Sequence, residues 1–288
     1  MVGVPARVVP VDAPRAQRSS ASIWPIVHLP TSGELVDGQA SVASGRAAGD
    51  AVTHAAELAL RGEADAVAAA PSNKHALHLA GFAFDDHTAL LANLTSTPDA
   101  ILMPVSGTLR VVSVTNHLSL AEACRRLTAD VVLRAIRGTA GTLRQMGITH
   151  PRIAVAALNP HNGEGGDLGD DEAVKIAPAV EAARAEGIDA TGPLAADSLF
   201  TKERLARYDV FITMYHDQGR IAQKALAFGK IVVITAGLPF FFATVGHGTA
   251  YDIAWQAKAD AANLIEALRA ASVAAISSRR IHQQGDLP

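Results

Sequence analysis

The sequence predicts an α/β protein of two lobes, and three observations carry that reading. Short apolar, β-branched runs alternate with stretches of helical periodicity from about residue 64 to residue 275, the pattern of strand-helix-strand units. A hairpin-like piece at 101–115 is inserted into that alternation. Three strands also end alike: the run 109–115 leads into Asn116-His117, 153–158 into Asn159-Pro160-His161, and 208–214 into Tyr215-His216. Open α/β sheets build their sites just past the carboxyl ends of strands, so one sheet edge is expected to carry three imidazoles. Neutral imidazole is the commonest side-chain metal ligand, and three of them leave positions open for substrate or water.

Composition narrows the function class. The chain of 288 residues is 49% hydrophobic, enough for one large domain or two. A net charge of −3 without any Lys/Arg cluster argues against a nucleic-acid surface. Cys124 is the sole cysteine, so no internal disulfide forms. No apolar run approaches the roughly eighteen residues that span a bilayer. The first thirty residues carry Pro5, Pro10, Pro14 and Pro25 and lack the apolar centre of a signal peptide. A soluble, cytoplasmic protein acting on a small molecule is expected, with no nucleic-acid or membrane partner.

Residues 1–35 read as an irregular entry with extended pieces at 6–11 and 23–28 and one edge strand. Small and apolar residues recur at helical spacing over 41–61, and Gly62 stops that helix. A buried strand at 64–70 ends in Pro71-Ser72-Asn73-Lys74, which places Lys74 at the edge of the histidines. A loop follows, and then Asp85 and Asp86 precede a helix to residue 94. Asp86 caps it and leaves His87 and Thr88 at its positive end, suited to a polar or anionic ligand group.

After the hairpin, helices are expected from Ser119 and over 130–146, closed by Gly147. The strand ending at Leu158 opens into Gly163-Glu164-Gly165-Gly166 and a helix over 170–186. Asp170, Asp171 and Glu172 suit that helix's start through its dipole. Residues 192–197 form a loop ending in Asp197, a ligand or supporting candidate, ahead of 198–207. Beyond His216 a helix carries Lys224, roughly 12 Å further along. A strand over 230–235, the turn Gly237-Leu238-Pro239, the wall Phe240 to Phe242, a helical pair over 250–257 and 260–275, and a polar tail complete the chain.

Asn159-Pro160-His161 with Gly163-Glu164-Gly165-Gly166, Met214-Tyr215-His216-Asp217-Gln218-Gly219, Gly237-Leu238-Pro239 and His247-Gly248-Thr249-Ala250 closely resemble the 4-hydroxythreonine-4-phosphate dehydrogenase family of vitamin B6 synthesis. The similarity runs from about Gly38 to Ala271. It implies a two-lobed fold related to isocitrate and isopropylmalate dehydrogenases, built as a homodimer with a shared active site. The central lobe would span roughly 85–210 with the dimer and metal site, the outer nucleotide-binding lobe roughly 36–84 and 211–275, and residues 276–288 a polar tail. The family's three metal ligands match His117, His161 and His216, for one divalent ion (Zn, Mg, Mn or Co). Asp197 matches an acid near that metal, and His87, Thr88 and Lys224 match substrate contacts. Lys224 and Asp197 are the catalytic candidates. Gly163, Glu164, Gly165, Gly237 and His247 are the candidates for binding NAD or NADP.

The sequence departs from the family in telling places. The family's substrate-binding Asn falls on Val233, its substrate-binding Arg on Phe242, and an Asp before the last His on Gly246. Phe cannot replace a bidentate Arg on phosphate. Val245-Gly246-His247-Gly248 and Leu90-Leu91-Ala92-Asn93 are more similar to the terephthalate dihydrodiol dehydrogenases. The family's opening strand and Gly-Asp-Pro-Ala-Gly-Ile-Gly-Pro-Glu loop have no counterpart, so the fold is expected to lack them. The expected activity is metal- and NAD-dependent oxidation of a secondary hydroxyl in an unphosphorylated hydroxy acid, with Phe242 as part of the substrate wall and decarboxylation where a carboxylate stands β to the new ketone. The alternatives are a true 4-phosphooxy-L-threonine dehydrogenase, a metal-dependent hydrolase or lyase, and a degenerate paralogue without turnover.

Overall fold

The computed structural model describes residues 5–84, 86–227 and 231–284, the last five by their backbone. Asp85 and Lys230, named above before a helix and at a strand start, lie outside the described residues. Strands β1 (Arg7–Val11) and β2 (Ile23–Val27) pair in parallel with each other as a sheet of their own, so the entry holds two strands where one was expected.

Eight further strands form one sheet: β3 (Ala66–Ala69), β4 (Ile101–Ser106), β5 (Leu109–Thr115), β6 (Ile153–Ala156), β7 (Ala190–Leu194), β8 (Val210–Tyr215), β9 (Val232–Ala236) and β10 (Phe241–Val245), in spatial order β3-β10-β9-β4-β5-β8-β6-β7. Strands β5 to β8 run parallel. Because β4 is antiparallel to both β5 and β9, β9 shares their direction, whereas β10 and its parallel partner β3 run the other way. This corrects the placement of Lys74. The carboxyl end of β3 lies at the edge opposite the histidines, because three antiparallel pairings separate it from β5. The two halves of the sheet meet at the β4–β5 hairpin, whose turn follows Ser106 as expected. Strand β8 inserts between β5 and β6, so 210–215 groups with the strands of the 85–210 span.

Strands β5, β6, β8, β9 and β10 are largely buried on both faces, which is why their runs read as continuous rather than alternating. Phe241 and Ala243 join Ile212, Val112 and Val155 in the main core, beneath helices α5 (Ala129–Gln145), α6 (Ala177–Ala185) and α9 (Ala262–Gln284). Phe240 and Phe242 point the other way, with Val67, Ala69 and Leu91, under α1 (Val42–Leu60) and α3 (His87–Leu94). In α5 the fully buried Val132, Ile136 and Leu143 recur at helical spacing, each stabilising the layer by about 1.5–3 kcal/mol. Ser41, Asp86 and Thr128 cap α1, α3 and α5 through side-chain oxygens.

Several expected boundaries move. Asn73 caps a short helix α2 (Lys74–Leu79) where a loop was expected. The segment expected as a loop from Gly192 begins inside β7, where Pro193 is tolerated because the strand is an edge. Helix α4 (Leu120–Arg126) follows Ser119 as expected, while α7 covers only Lys202–Arg207. The stretch 250–257 holds a single turn, Tyr251–Ile253. Helix α9 continues to Gln284, and Arg279 anchors it to Asp65 at 3.0 Å. Polar composition, with no apolar period after Ala274, hid that extension. No helix among the described residues is long and apolar enough to cross a membrane.

Candidate active site

The carboxyl edge of the parallel strands is tied together by side chains. Thr115 Oγ1 donates to Met214 O at 2.8 Å and links β5 to β8. Gln218 Nε2 donates to Ala157 O at 2.8 Å while its Oε1 accepts from Met214 N at 2.7 Å, linking β8 to the end of β6. His216 begins helix α8 (His216–Leu226), and His117 sits just past β5 in the left-handed region at φ 50°. Non-glycine residues rarely adopt that conformation, and it clusters at functional sites. The two imidazoles face each other with ring centroids 5.9 Å apart. One cavity of about 200 Å³ lies beside them, lined by Thr115, His117, Tyr215, His216 and Asp217. His117 also lines a cavity of about 370 Å³ shared with Asp86, Thr88, Asn116 and Arg134.

The third histidine stands apart. From His161 to Gly165 five successive residues have φ between 46° and 77°, a left-handed coil that two glycines make tolerable. His161 is 68% exposed at its side chain, and its Nδ1 lies 2.9 Å from Glu164 Oε2. Among the described residues, no three His, Cys, Asp or Glu side chains come close enough to hold a metal ion. The expected three-histidine set is therefore not assembled within one chain. His117 and His216 still fit a divalent ion by their chemistry. His216 Nδ1 pairs with Asp217 Oδ1 at 2.7 Å, which leaves Nε2 as the free donor, and outer carboxylates orient metal-bound imidazoles in this way. His161 with Glu164 repeats the pairing.

Glu172 holds this loop, and the sequence reading gave it only a dipole role. Its carboxylate is buried; Oε1 accepts from Leu158 N at 2.8 Å and Asn159 N at 2.7 Å, and Oε2 from Asn159 Nδ2 at 3.1 Å. A Cβ on Gly163 would meet Oε2 at 2.8 Å, so the glycine lets the loop close over the carboxylate. Asp171 accepts from Asn159 Nδ2 at 3.0 Å, and Lys175, then Asn159, hold its carboxyl below the usual range. An acid one turn beyond a glycine loop was the available signal.

The remaining candidates divide. Thr88 Oγ1 is 2.9 Å from Thr235 Oγ1 and faces the larger cavity. His87 is buried, its Nε2 has no partner, and burial lowers its pKa. Its ring meets Phe242 edge-on at 5.7 Å. Phe242, expected as a substrate wall, is fully enclosed with Leu91, Leu238 and Phe240 and offers no surface to a ligand, because its strand position points into that layer's core. Asp197 is exposed on the turn Ala196–Ser198, which packs against the His161 loop, and it has no partner among the described residues. Lys224 is exposed on α8 without an ion pair among the described residues. Asn116 was named only as a neighbour of His117; its buried Oδ1 has no partner.

The cofactor candidates separate as well. Gly163, Glu164 and Gly165 share the histidine edge with Gly237, whose N–H donates to Thr142 Oγ1 at 3.0 Å. His247 follows β10 and so lies at the opposite edge, where its Nδ1 is 2.9 Å from Gly248 O. No single cradle gathers the five. A Cβ at Gly165 or Gly248 would meet nothing within 4 Å, so both backbones are open to a ligand. A cavity of about 720 Å³ lies elsewhere, between Arg15, Asp65 and Arg279; Phe240 and Phe241 of the expected wall line it, but none of the other expected site residues does.

Known proteins match along nearly the whole chain. The family model described as pyridoxal phosphate biosynthetic protein PdxA matches residues 4–271. A D-threonate 4-phosphate dehydrogenase from Cupriavidus necator is 42% identical over 271 residues, 93% of this chain and 81% of that protein. The crystal structure of 4-hydroxythreonine-4-phosphate dehydrogenase from Klebsiella pneumoniae matches with a TM-score of 0.85 and 39% identity, covering 94% of this chain and 83% of that one. A terephthalate 1,2-cis-dihydrodiol dehydrogenase from Burkholderia xenovorans LB400 matches with a TM-score of 0.72 and 33% identity, over 93% and 83%.

Proposed function

Since the chain belongs to the pyridoxal phosphate biosynthetic protein PdxA family, whose relatives here are dehydrogenases, we propose that it oxidises a secondary hydroxyl of a small acidic hydroxy acid at the edge where His117 faces His216. That histidine pair, lining one cavity together while His117 also lines a second cavity with Thr88, is the observation that carries the reading. His117 and His216 would hold a divalent ion, whose bound charge lowers the pKa of a chelated hydroxyl and offsets charge developing on its oxygen. A nicotinamide coenzyme, when bound, would take the hydride, and Gly163, Glu164, Gly165 and Gly237 at the histidine edge are the residues that would hold it, with His247 at the other edge left as a separate candidate.

The chain's own groups do the positioning. Asp217 and Glu164 each take one imidazole nitrogen and so fix which nitrogen is offered to a ligand. The Thr88 hydroxyl and the unpartnered Nε2 of His87 supply hydrogen bonds at the start of α3, and Lys224 supplies positive charge. The chain is a two-lobed homodimer in this reading, its site borrowing from both copies, which the exposure of His161 favours.

A phosphorylated four-carbon acid is the first substrate choice, in line with the Cupriavidus relative. The case for an unphosphorylated substrate rested partly on Phe242 as a wall, and Phe242 is enclosed. An unphosphorylated dihydrodiol carboxylate, oxidised with or without decarboxylation, is the second choice, favoured by Val233 and by the Burkholderia relative. Steady-state NAD reduction with D-threonate 4-phosphate and with a dihydrodiol carboxylate decides between them. Hydrolysis or elimination without NAD reduction would point to the metal-dependent hydrolase or lyase. Ligand binding with no turnover on either acid would point to a degenerate paralogue.

A further inference from the structure

Helix α8 presents a second cation that neither the motifs nor the family match single out. Gly219 and Gln223 face the sheet: a Cβ on Gly219 would meet Val111 Cγ1 at 2.6 Å, and Gln223 Nε2 donates to Pro104 O of β4 at 2.9 Å. Gln218, on one flank, reaches the end of β6. At roughly 100° per residue, Arg220 and Lys224 fall on the other flank, toward β4 and β9. This is the side on which Thr88 of α3 meets Thr235 of β9. Along the helix His216, Arg220 and Lys224 follow at four-residue intervals, about 6 Å apart.

Arg220 has only one bond, from Nη1 to Gln223 Oε1 at 3.1 Å, and no carboxylate partner among the described residues. Asp217, one turn earlier, is taken by His216. The guanidinium is half-buried, and desolvation pulls its pKa down to about 10. A cation drawn out of water with four donors unused is set up for a planar oxyanion, which a guanidinium grips bidentately.

We propose that Arg220 is a specificity-determining residue that holds the acidic group of the substrate, phosphate or carboxylate, beside Lys224 on the flank of α8 that faces β4 and β9. The assignment rests on the proposed dehydrogenase reading and supplies the cation missing at Phe242. The test compares wild type, Arg220→Gln and Arg220→Lys, each checked for an unchanged melting temperature. Kinetics with D-threonate 4-phosphate and a dihydrodiol carboxylate are joined by thermal stabilisation with inorganic phosphate. Losing a charge-assisted contact predicts a KM about 10–100-fold higher in Arg220→Gln, kcat within about twofold, and partial rescue by Lys. A rise for the phosphorylated acid alone assigns the phosphate, and an equal rise for both acids assigns the carboxylate. KM values within about twofold of wild type, with phosphate stabilising both proteins alike, would overturn the proposal. If wild type oxidises neither acid, the dehydrogenase reading fails. Phosphate stabilisation then decides on Arg220 alone: its loss in Arg220→Gln supports the anion site, and its persistence refutes it.

Discussion

Replacing Glu172 with Gln should unfasten the loop that carries His161. In the native protein one carboxylate oxygen accepts two backbone N–H groups, and the other accepts the Asn159 amide. Gln keeps the shape and one acceptor but loses the charge on both backbone bonds, about 1 kcal/mol each. It also turns an NH2 toward the Asn159 NH2, leaving donors unpaired at about 1–3 kcal/mol. The sum is about 3–5 kcal/mol, or roughly 5–8 °C in melting temperature for a chain of 288 residues. Thermal unfolding of the metal-free protein measures this directly. Titration with a divalent ion adds a second reading, because a loosened Asn159-Pro160-His161 should also weaken metal uptake if His161 ligates. An Arg137→Ala control, which removes an exposed surface pair with Glu186, should leave the melting temperature close to that of wild type. If Glu172→Gln melts within about 1 °C of wild type, the clamp argument is wrong.

Other consequences can be checked in the same protein. Gly219→Ala should lose about 1–3 kcal/mol despite alanine's better helix propensity, because the added methyl meets Val111 and Thr213 at 2.6–2.7 Å; a higher melting temperature would contradict this close approach. Burial lowers the pKa of His87, so its contribution to stability is complete above about pH 6.5 and is lost as pH falls from there through the depressed native value. Stability curves from pH 7.5 to 5 should show that loss in wild type, and a pH slope unchanged in His87→Asn would refute it. Single alanine variants of His117 and His216 should each release a bound divalent ion on dialysis, whereas stoichiometric metal in both would sink the pairing. Truncation after Ser278 should lower the melting temperature only slightly through loss of Arg279 from Asp65, an exposed pair that salt should weaken, and a large loss would contradict this.

Local rules sufficed for the elements that depend on neighbours in sequence. Ser41, Asp86, Ser119 and Thr128 all occupy helix N-caps, since a side-chain oxygen three residues ahead of an N–H satisfies it wherever the helix later docks. The strands ending in His117, His161 and His216 were legible because runs buried on both faces are continuously apolar. The family, too, was legible from its long ordered motifs.

Strand direction was not local, and it alone sends Lys74 and His247 to the edge away from the histidines. Nor could spacing show that Phe242 points into a core layer, or that His161 leaves its two companions, because burial and left-handed backbone depend on what packs around them. Glu172 and Arg220 are the plainest cases. An acid and a base of ordinary appearance on helices became a buried clamp and an unpaired guanidinium only when the chain closed around them. Desolvation is a property of the assembled fold, and no run of neighbouring residues encodes it.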